Sequence, residues 1–253
     1  MKQTVVITGA TSGFGKACVE RFAADGANLS LVGRREERLK ALKQQYPELN
    51  ILLIPLDVRD RKAVFDSFEN LPESFADIDI LVNNAGLALG LEPSWETNLD
   101  DWETMVDTNI KGALYCTRAL LPGMVQRRKG SIVNIGSVAG NWPYPGGNVY
   151  GATKAFLQQF SRNLRCDLLG KNIRVTNIEP GMAETEFSIN RFKGDEEKAA
   201  NVYRGIQPLK SDDIAEAVHW VVHLPPHVNV NTLELMATNQ AWSPFNIHRS
   251  EES

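Results

Sequence analysis

The β-branched run Thr4-Val5-Val6-Ile7-Thr8 leads without a break into Thr8-Gly9-Ala10-Thr11-Ser12-Gly13-Phe14-Gly15, and a helical apolar pattern follows from Phe14 to Ala24. A strand, a glycine-rich turn and a helix in that order leave few folds open. Glycine lets the turn double back tightly and brings backbone N–H groups close to a ligand. The helix behind it directs its free N–H groups and the positive end of its dipole at the same place, which suits a pyrophosphate. Only Met1, Lys2 and Gln3 precede the run, so no signal peptide is expected ahead of the first strand.

The pattern then repeats. Short β-branched segments at Asn28 to Val32, Ile51 to Pro55, Ile80 to Val82, Ser131 to Ile135, Arg174 to Ile178 and Asn231 to Leu235 read as buried strands. Amphipathic stretches alternate with them, among others Arg35 to Gln45, Trp102 to Leu121, Tyr150 to Leu169 and Asp212 to His223. Such alternation predicts an α/β fold, a Rossmann-type doubly wound parallel sheet of about seven strands with helices on both faces. No Pro/Gly/Ser-rich linker interrupts it, and one domain over residues 1–253 is expected. The stretch Gly181 to Arg204 follows a strand at its carboxyl end, carries charges and shows little apolar period. It reads as a lid with short helical pieces, because ligands bind at that edge of open α/β sheets. A tail from Ala237 to Ser253 is patternless apart from Trp242, Phe245 and Ile247, which suggest local packing.

Composition narrows the function classes. With 43% hydrophobic and 23% charged residues, the chain has the makings of a globular core. A formal net charge of −4 disfavours nucleic acid as a partner. Cys18, Cys116 and Cys166 are odd in number and far apart, which points to reduced thiols rather than a disulfide framework or a zinc site. No apolar stretch reaches membrane-spanning length, and a cytoplasmic location without membrane partners is expected.

Further along stand Asn83-Asn84-Ala85-Gly86, Ser137, Tyr150-Gly151-Ala152-Thr153-Lys154 and Pro180-Gly181. Together with the TGxxxGxG spacing of the first turn, these motifs resemble the short-chain dehydrogenase/reductase family from about Thr4 to Leu235. The resemblance implies that Tyr150 is the acid/base, Lys154 its electrostatic partner, Ser137 the residue that orients the substrate oxygen, and Asn109 part of a proton relay. Elementary chemistry agrees with these roles. Tyr150 and Lys154 are four apart and share a helix face. A free tyrosine titrates near 10, and a neighbouring ammonium favours its phenolate. Ser137 follows a strand and offers a hydroxyl at the same edge as the glycine turn.

The same resemblance assigns cofactor contacts to Gly9, Thr11, Ser12, Gly13, Phe14, Gly15, Asn84, Ala85, Gly86, Tyr150, Lys154, Pro180 and Gly181. It places Asp57, with Val58, at the adenine, and Thr185 at the nicotinamide carboxamide. After the second strand the sequence reads Gly33-Arg34-Arg35, with no acidic residue at the strand end. Guanidinium groups there accommodate the 2′-phosphate, so NADP(H) is the expected cofactor.

Trp142-Pro143-Tyr144-Pro145-Gly146-Gly147-Asn148, Glu184-Thr185-Glu186-Phe187-Ser188 and Arg191-Phe192-Lys193-Gly194 resemble a subgroup, the NADP-dependent 3-hydroxy acid dehydrogenases. Serine, L-allo-threonine and 3-hydroxypropionate are then the implied substrates, or the reverse reduction of malonic semialdehyde. A carboxylate drawn into such a site needs a cationic partner, and Arg191 and Lys193 on the lid are candidates, with Asn148 or backbone amides as alternatives. A reductase of 3-oxoacyl thioesters or of another small ketone would share every catalytic residue, and a non-enzymatic NADPH sensor would lack part of the set. The resemblance also implies a homotetramer built partly through the helices Trp102 to Leu121 and Tyr150 to Leu169. No metal is expected. His219 and His223 lack the glutamate of a zincin motif, and Asp195-Glu196-Glu197 reads as a solvated acidic run.

Overall fold

The computed structural model of the chain describes residues 2–242; Phe245 and Ile247, for which packing was expected, lie outside the described residues. Seven strands among the described residues, β1 (Thr4–Thr8), β2 (Asn28–Gly33), β3 (Ile51–Pro55), β4 (Ile80–Asn83), β5 (Gly130–Ile135), β6 (Ile173–Pro180) and β7 (Thr232–Leu235), form one sheet. Their order is β3-β2-β1-β4-β5-β6-β7, and every neighbouring pair is parallel. The helices in chain order are α1 (Gly13–Ala24), α2 (Glu36–Gln45), α3 (Arg61–Glu69), α4 (Glu73–Ala76), α5 (Leu99–Val106), α6 (Gly112–Arg127), α7 (Asn148–Asp167), α8 (Glu186–Arg191), α9 (Glu196–Asn201) and α10 (Ser211–His223).

The apolar strand runs have a direct packing reason. Side chains alternate across a strand, so Val5 and Ile7 point to one face and Val6 to the other. On the first face they join Leu29 and Leu31 against Phe22 of α1, Leu39 of α2 and Val218 of α10. On the second, Val6, Leu81, Ile132 and Val175 meet Val64 of α3, Cys116 and Met124 of α6 and Leu164 of α7. A strand covered on both sides favours apolar residues on both faces, and each large one buried stabilises by roughly 1.5–3 kcal/mol. The doubly wound parallel sheet read from the sequence is therefore the observed one.

Two features place the functional side chains. At the first turn, a Cβ on Gly15 would lie 2.2 Å from the Gly9 carbonyl oxygen, so α1 can start this close behind β1 only with glycine there. The second departs from the sequence reading. The stretch Trp102 to Leu121 reads as one regular helix, but α5 and α6 are joined by a π-helical turn at Asp107–Lys111, and the helix continues to Arg127. A π turn adds one residue to the repeat and re-aims the side chains inside it. Here it carries Asn109 inward, where it is 1% exposed. No helix among the described residues is long and apolar enough to cross a membrane.

Candidate active site

The carboxyl ends of β1, β2, β4, β5 and β6 open onto one cavity of about 1390 Å³. It lies where strand order reverses between β1 and β4, the crevice in which open α/β sheets bind ligands. Gly9, Thr11, Ser12, Gly13 and Phe14 line it from the first turn, and Asn84, Ala85 and Gly86 from the end of β4. One buried hydroxyl joins these two segments. Thr8 Oγ1 accepts from the Asn84 and Ala85 amides at 3.0 and 2.9 Å and donates to the Val82 carbonyl. Pro180, Gly181 and Thr185 close the cavity from the β6 side, and Asp57 and Val58 line it after β3. Burial pushes the Asp57 carboxyl upward, but hydrogen bonds from Arg59 outweigh it and hold the group below its ordinary value.

The two arginines after β2 are not equivalent. Arg35 is committed: its Nε and Nη2 donate to Thr11 Oγ1, Nη2 also to Ser12 Oγ at 2.7 Å, and Nη1 to Glu186 at 3.1 Å. Arg34 lines the same cavity with its side chain 63% exposed, and its ion-pair contact is with Asp57 at 4.0 Å. Glu186, at the start of α8, also accepts two bonds from Arg38 at 2.9 and 3.0 Å. The strand end thus gains a carboxylate from about 150 positions downstream, which no local reading of the β2 sequence reveals. Burial pushes this carboxyl up, yet the bonds from Arg35 and Arg38 hold it below its ordinary value.

In the other half of the cavity, α7 presents Tyr150, Thr153, Lys154 and Leu157 on its buried face, at the three- and four-residue spacings that share a helix side. Ser137 caps the short 3-10 turn Val138–Gly140: its hydroxyl accepts from the Ala139 amide at 3.1 Å. Asn109 accepts from the Leu87 amide at 2.8 Å and donates to the Leu87 carbonyl and to Thr153 Oγ1. Gly86 packs between the side-chain ends of Asn109 and Lys154.

The electrostatics differ from the simple picture of a tyrosine lowered by its lysine. Lys154 Nζ donates to the Ile135 carbonyl at 2.8 Å and lies 5.7 Å from the centroid of the Tyr150 ring. Burial raises the Tyr150 phenol to about 12, while its hydrogen bond with Ser137 and the charge of Arg191 act in the opposite sense. Burial also lowers Lys154 to about 8, so it is still an ammonium at pH 7. Between pH 8 and its ordinary value, the unfolded chain holds a proton that the folded protein has released. Stability therefore rises with pH across that window, and the penalty is fully present below it. Measured without added nucleotide, the stability of the wild type relative to Lys154→Met should improve by about 3 kcal/mol from pH 8 to 10.5. A flat difference in urea titrations would show that the lysine is not desolvated.

Arg191, at the end of α8, reaches the same place from the segment after β6. Its Nε donates to the Gly90 carbonyl at 3.1 Å and its Nη2 to the Tyr144 hydroxyl at 2.9 Å. The guanidinium carbon lies 5.6 Å from the Tyr150 ring centroid, and Phe187 packs on that ring at 5.5 Å. Two expectations for the substrate pocket need correcting. Lys193 has a left-handed backbone (φ 53°), and its ammonium pairs with Asp101 at 2.8 Å. Asn148 spends its amide on the Glu92 carbonyl and its oxygen on the Val149 amide, and neither residue lines the cavity. Tyr144 and Phe187 stand in the sequence only as parts of motifs. Their tertiary neighbours give them roles, which sequence spacing does not carry. Helices α8 and α9 are short helical pieces within the stretch Gly181 to Arg204, and the Trp142 and Trp242 rings meet tilted, with centroids 5.8 Å apart, along the cavity wall.

Away from the cavity, Asp25, His219 and His223 bring ligand-type atoms within 4.8 Å of one another. Arg21 donates to His219 Nδ1 at 3.0 Å, and His219 Nε2 bonds Asp25 at 2.6 Å. A guanidinium already holds the ring nitrogen and opposes a second cation.

A family model described as short chain dehydrogenase matches residues 3–196. An NADP-dependent 3-hydroxy acid dehydrogenase of Salmonella typhi is 56% identical over 247 residues, 97% of this chain and 99% of that protein. Sulfoacetaldehyde reductase 2 of Chromohalobacter salexigens is 53% identical over 251 residues, 98% of this chain and all of that protein. A solved closed form of serine dehydrogenase complexed with NADP+ superposes with a TM-score of 0.96 at 54% identity, covering 98% of this chain and 100% of that one.

Proposed function

The chain belongs to the short-chain dehydrogenase family, and we propose that it is an NADP-dependent enzyme that oxidises the 3-hydroxyl of small 3-hydroxy acids, serine, L-allo-threonine and 3-hydroxypropionate among them, or catalyses the reverse reduction. The cavity fits the cofactor. The Gly9 to Phe14 turn lines the cavity at the start of α1, where free backbone amides would hold a pyrophosphate, and Arg34, exposed and only loosely paired with Asp57, would hold a 2′-phosphate. Bound there, the nicotinamide supplies the acceptor or donor of the hydride at the substrate carbon.

The remaining work falls to the chain's own side chains. Tyr150 takes the proton from the substrate hydroxyl during oxidation, or returns it during reduction. Ser137 holds the substrate oxygen by a hydrogen bond. Lys154 stabilises the charge that develops at the phenol, and Asn109 with the Leu87 carbonyl continues the proton path. The chain acts as one catalytic unit in the cytoplasm and assembles as a homotetramer, which sedimentation velocity tests directly.

The observation that carries the substrate class is Arg191. A guanidinium 5.6 Å from the Tyr150 ring suits a three-carbon acid that presents its carboxylate to the arginine and its 3-hydroxyl to the phenol. Arg191 Nη1 has no hydrogen-bond partner among the described residues, which leaves a donor for that anion. An anionic sulfonate satisfies the same donor, and the sulfoacetaldehyde reductase relative supports it as a second substrate head group. Arg191→Ala should lower kcat/KM for the acids about a hundredfold or more while changing matched uncharged alcohols only slightly, since the lost contact is charge-assisted. A panel of 3-hydroxy acids, sulfoacetaldehyde, simple alcohols and 3-oxoacyl thioesters tests this. Parallel losses on acids and alcohols, or a preference for thioesters, would overturn the substrate class without touching the chemistry at Tyr150.

A further inference from the structure

Glu179, just before Pro180 on β6, is 1% exposed. Its oxygens are satisfied by side-chain amides instead of a cation. Asn141 Nδ2 donates to Oε2 at 2.7 Å, and Gln158 Nε2 and Asn177 Nδ2 donate to Oε1 at 2.9 and 2.7 Å. Gln158 also donates to Asn141 Oδ1 at 2.6 Å, which closes a ring of three side chains. A buried anion is costly, and an apolar residue would stabilise the fold more simply. Charge-assisted hydrogen bonds offset that cost here, and they are directional.

Each amide belongs to a different carrier of the proposed chemistry. Asn141 ends the 3-10 turn that Ser137 begins, and Gln158 stands one helical turn beyond Lys154 on α7. Asn177 lies under the residue before Ser137: a Cβ at Gly136 would come within 2.8 Å of both polar atoms of the Asn177 amide. The Ser137 segment is thus held from its front, through Asn177, and from its back, through Asn141. The same carboxylate ties both to the helix that bears Tyr150.

We propose that Glu179 is a positioning residue whose carboxylate sets the distance and direction from the Ser137 hydroxyl to the Tyr150 phenol. This rests on the roles proposed above for those two residues. Glu179→Gln keeps the shape but sets an amide against three amide donors. Its kcat should fall by on the order of tenfold to a hundredfold, the cost of misplacing a reacting group, with NADPH affinity nearly unchanged. In a double-mutant cycle, the same substitution on a Ser137→Ala background should change the residual kcat by no more than about twofold, because the group that it positions is gone. Adding Gln158→Glu to Glu179→Gln returns a carboxylate to the ring and should recover most of the loss. A Glu179→Gln enzyme with wild-type kcat, or full additivity with Ser137→Ala, would overturn the inference. Should Glu179→Gln fail to fold, Asn141→Ala, at the exposed edge of the ring, serves in the same cycle and is read in the same way. Wild-type kcat in Ser137→Ala alone would instead overturn the underlying role of Ser137.

Discussion

Tyr150→Phe should leave a folded protein that binds NADPH and scarcely turns over. The substitution removes one oxygen. The ring keeps its packing on Phe187 and its place beside Arg191, and Lys154 keeps its bond to the Ile135 carbonyl, which does not involve the phenol. What disappears is the group proposed to exchange a proton with the substrate oxygen, a contribution of about 10² to 10⁴ in rate. Single-turnover hydride transfer and NADPH titration by fluorescence separate the two effects. Retention of more than about a tenth of the wild-type kcat would exclude Tyr150 as the acid/base.

Cofactor choice should divide between Arg34 and Arg35. Arg34→Ala should lower the ratio of kcat/KM for NADP+ over NAD+ by about a hundredfold, the few kcal/mol of a lost guanidinium–phosphate contact at about 1.4 kcal/mol per tenfold. Arg35→Ala should raise KM for both nucleotides and move their ratio much less. Its donors already hold Thr11, Ser12 and Glu186, so its loss loosens the turn and the start of α8 together. The reverse outcome, in which Arg35 alone controls the ratio, would reassign the phosphate to Arg35.

The arginine pair shows where sequence reading stops. Its position after β2 and the lack of an acidic neighbour are local facts, legible as written. That Glu186 comes back to occupy one of the two is a fact of the folded chain. Strands such as β1 and β5 are legible because double burial favours β-branched and apolar residues through their centres, with turn signals nearby. The π turn was not, since the apolar pattern of Trp102 to Leu121 runs through it without interruption. Arg191 and Lys193 look alike in sequence, two positions apart on one charged loop. The helix end between them sends the first to Tyr150 and the second to Asp101. The Tyr150–Lys154 spacing placed both on one face, but the opposing effects of burial on the two groups depend on what covers that face.

Helix α8 has only six residues, about 9 Å at 1.5 Å per residue, yet its two ends serve different halves of the cavity. Glu186 at the first end is fastened to Arg35 and Arg38 beside the nucleotide turn, and Arg191 at the other stands over Tyr150. So short a rod moves as one piece. A shift of Glu186 on the nucleotide side is therefore carried to the guanidinium over the phenol, so the helix is a lever that links the two halves of the cavity through the chain itself.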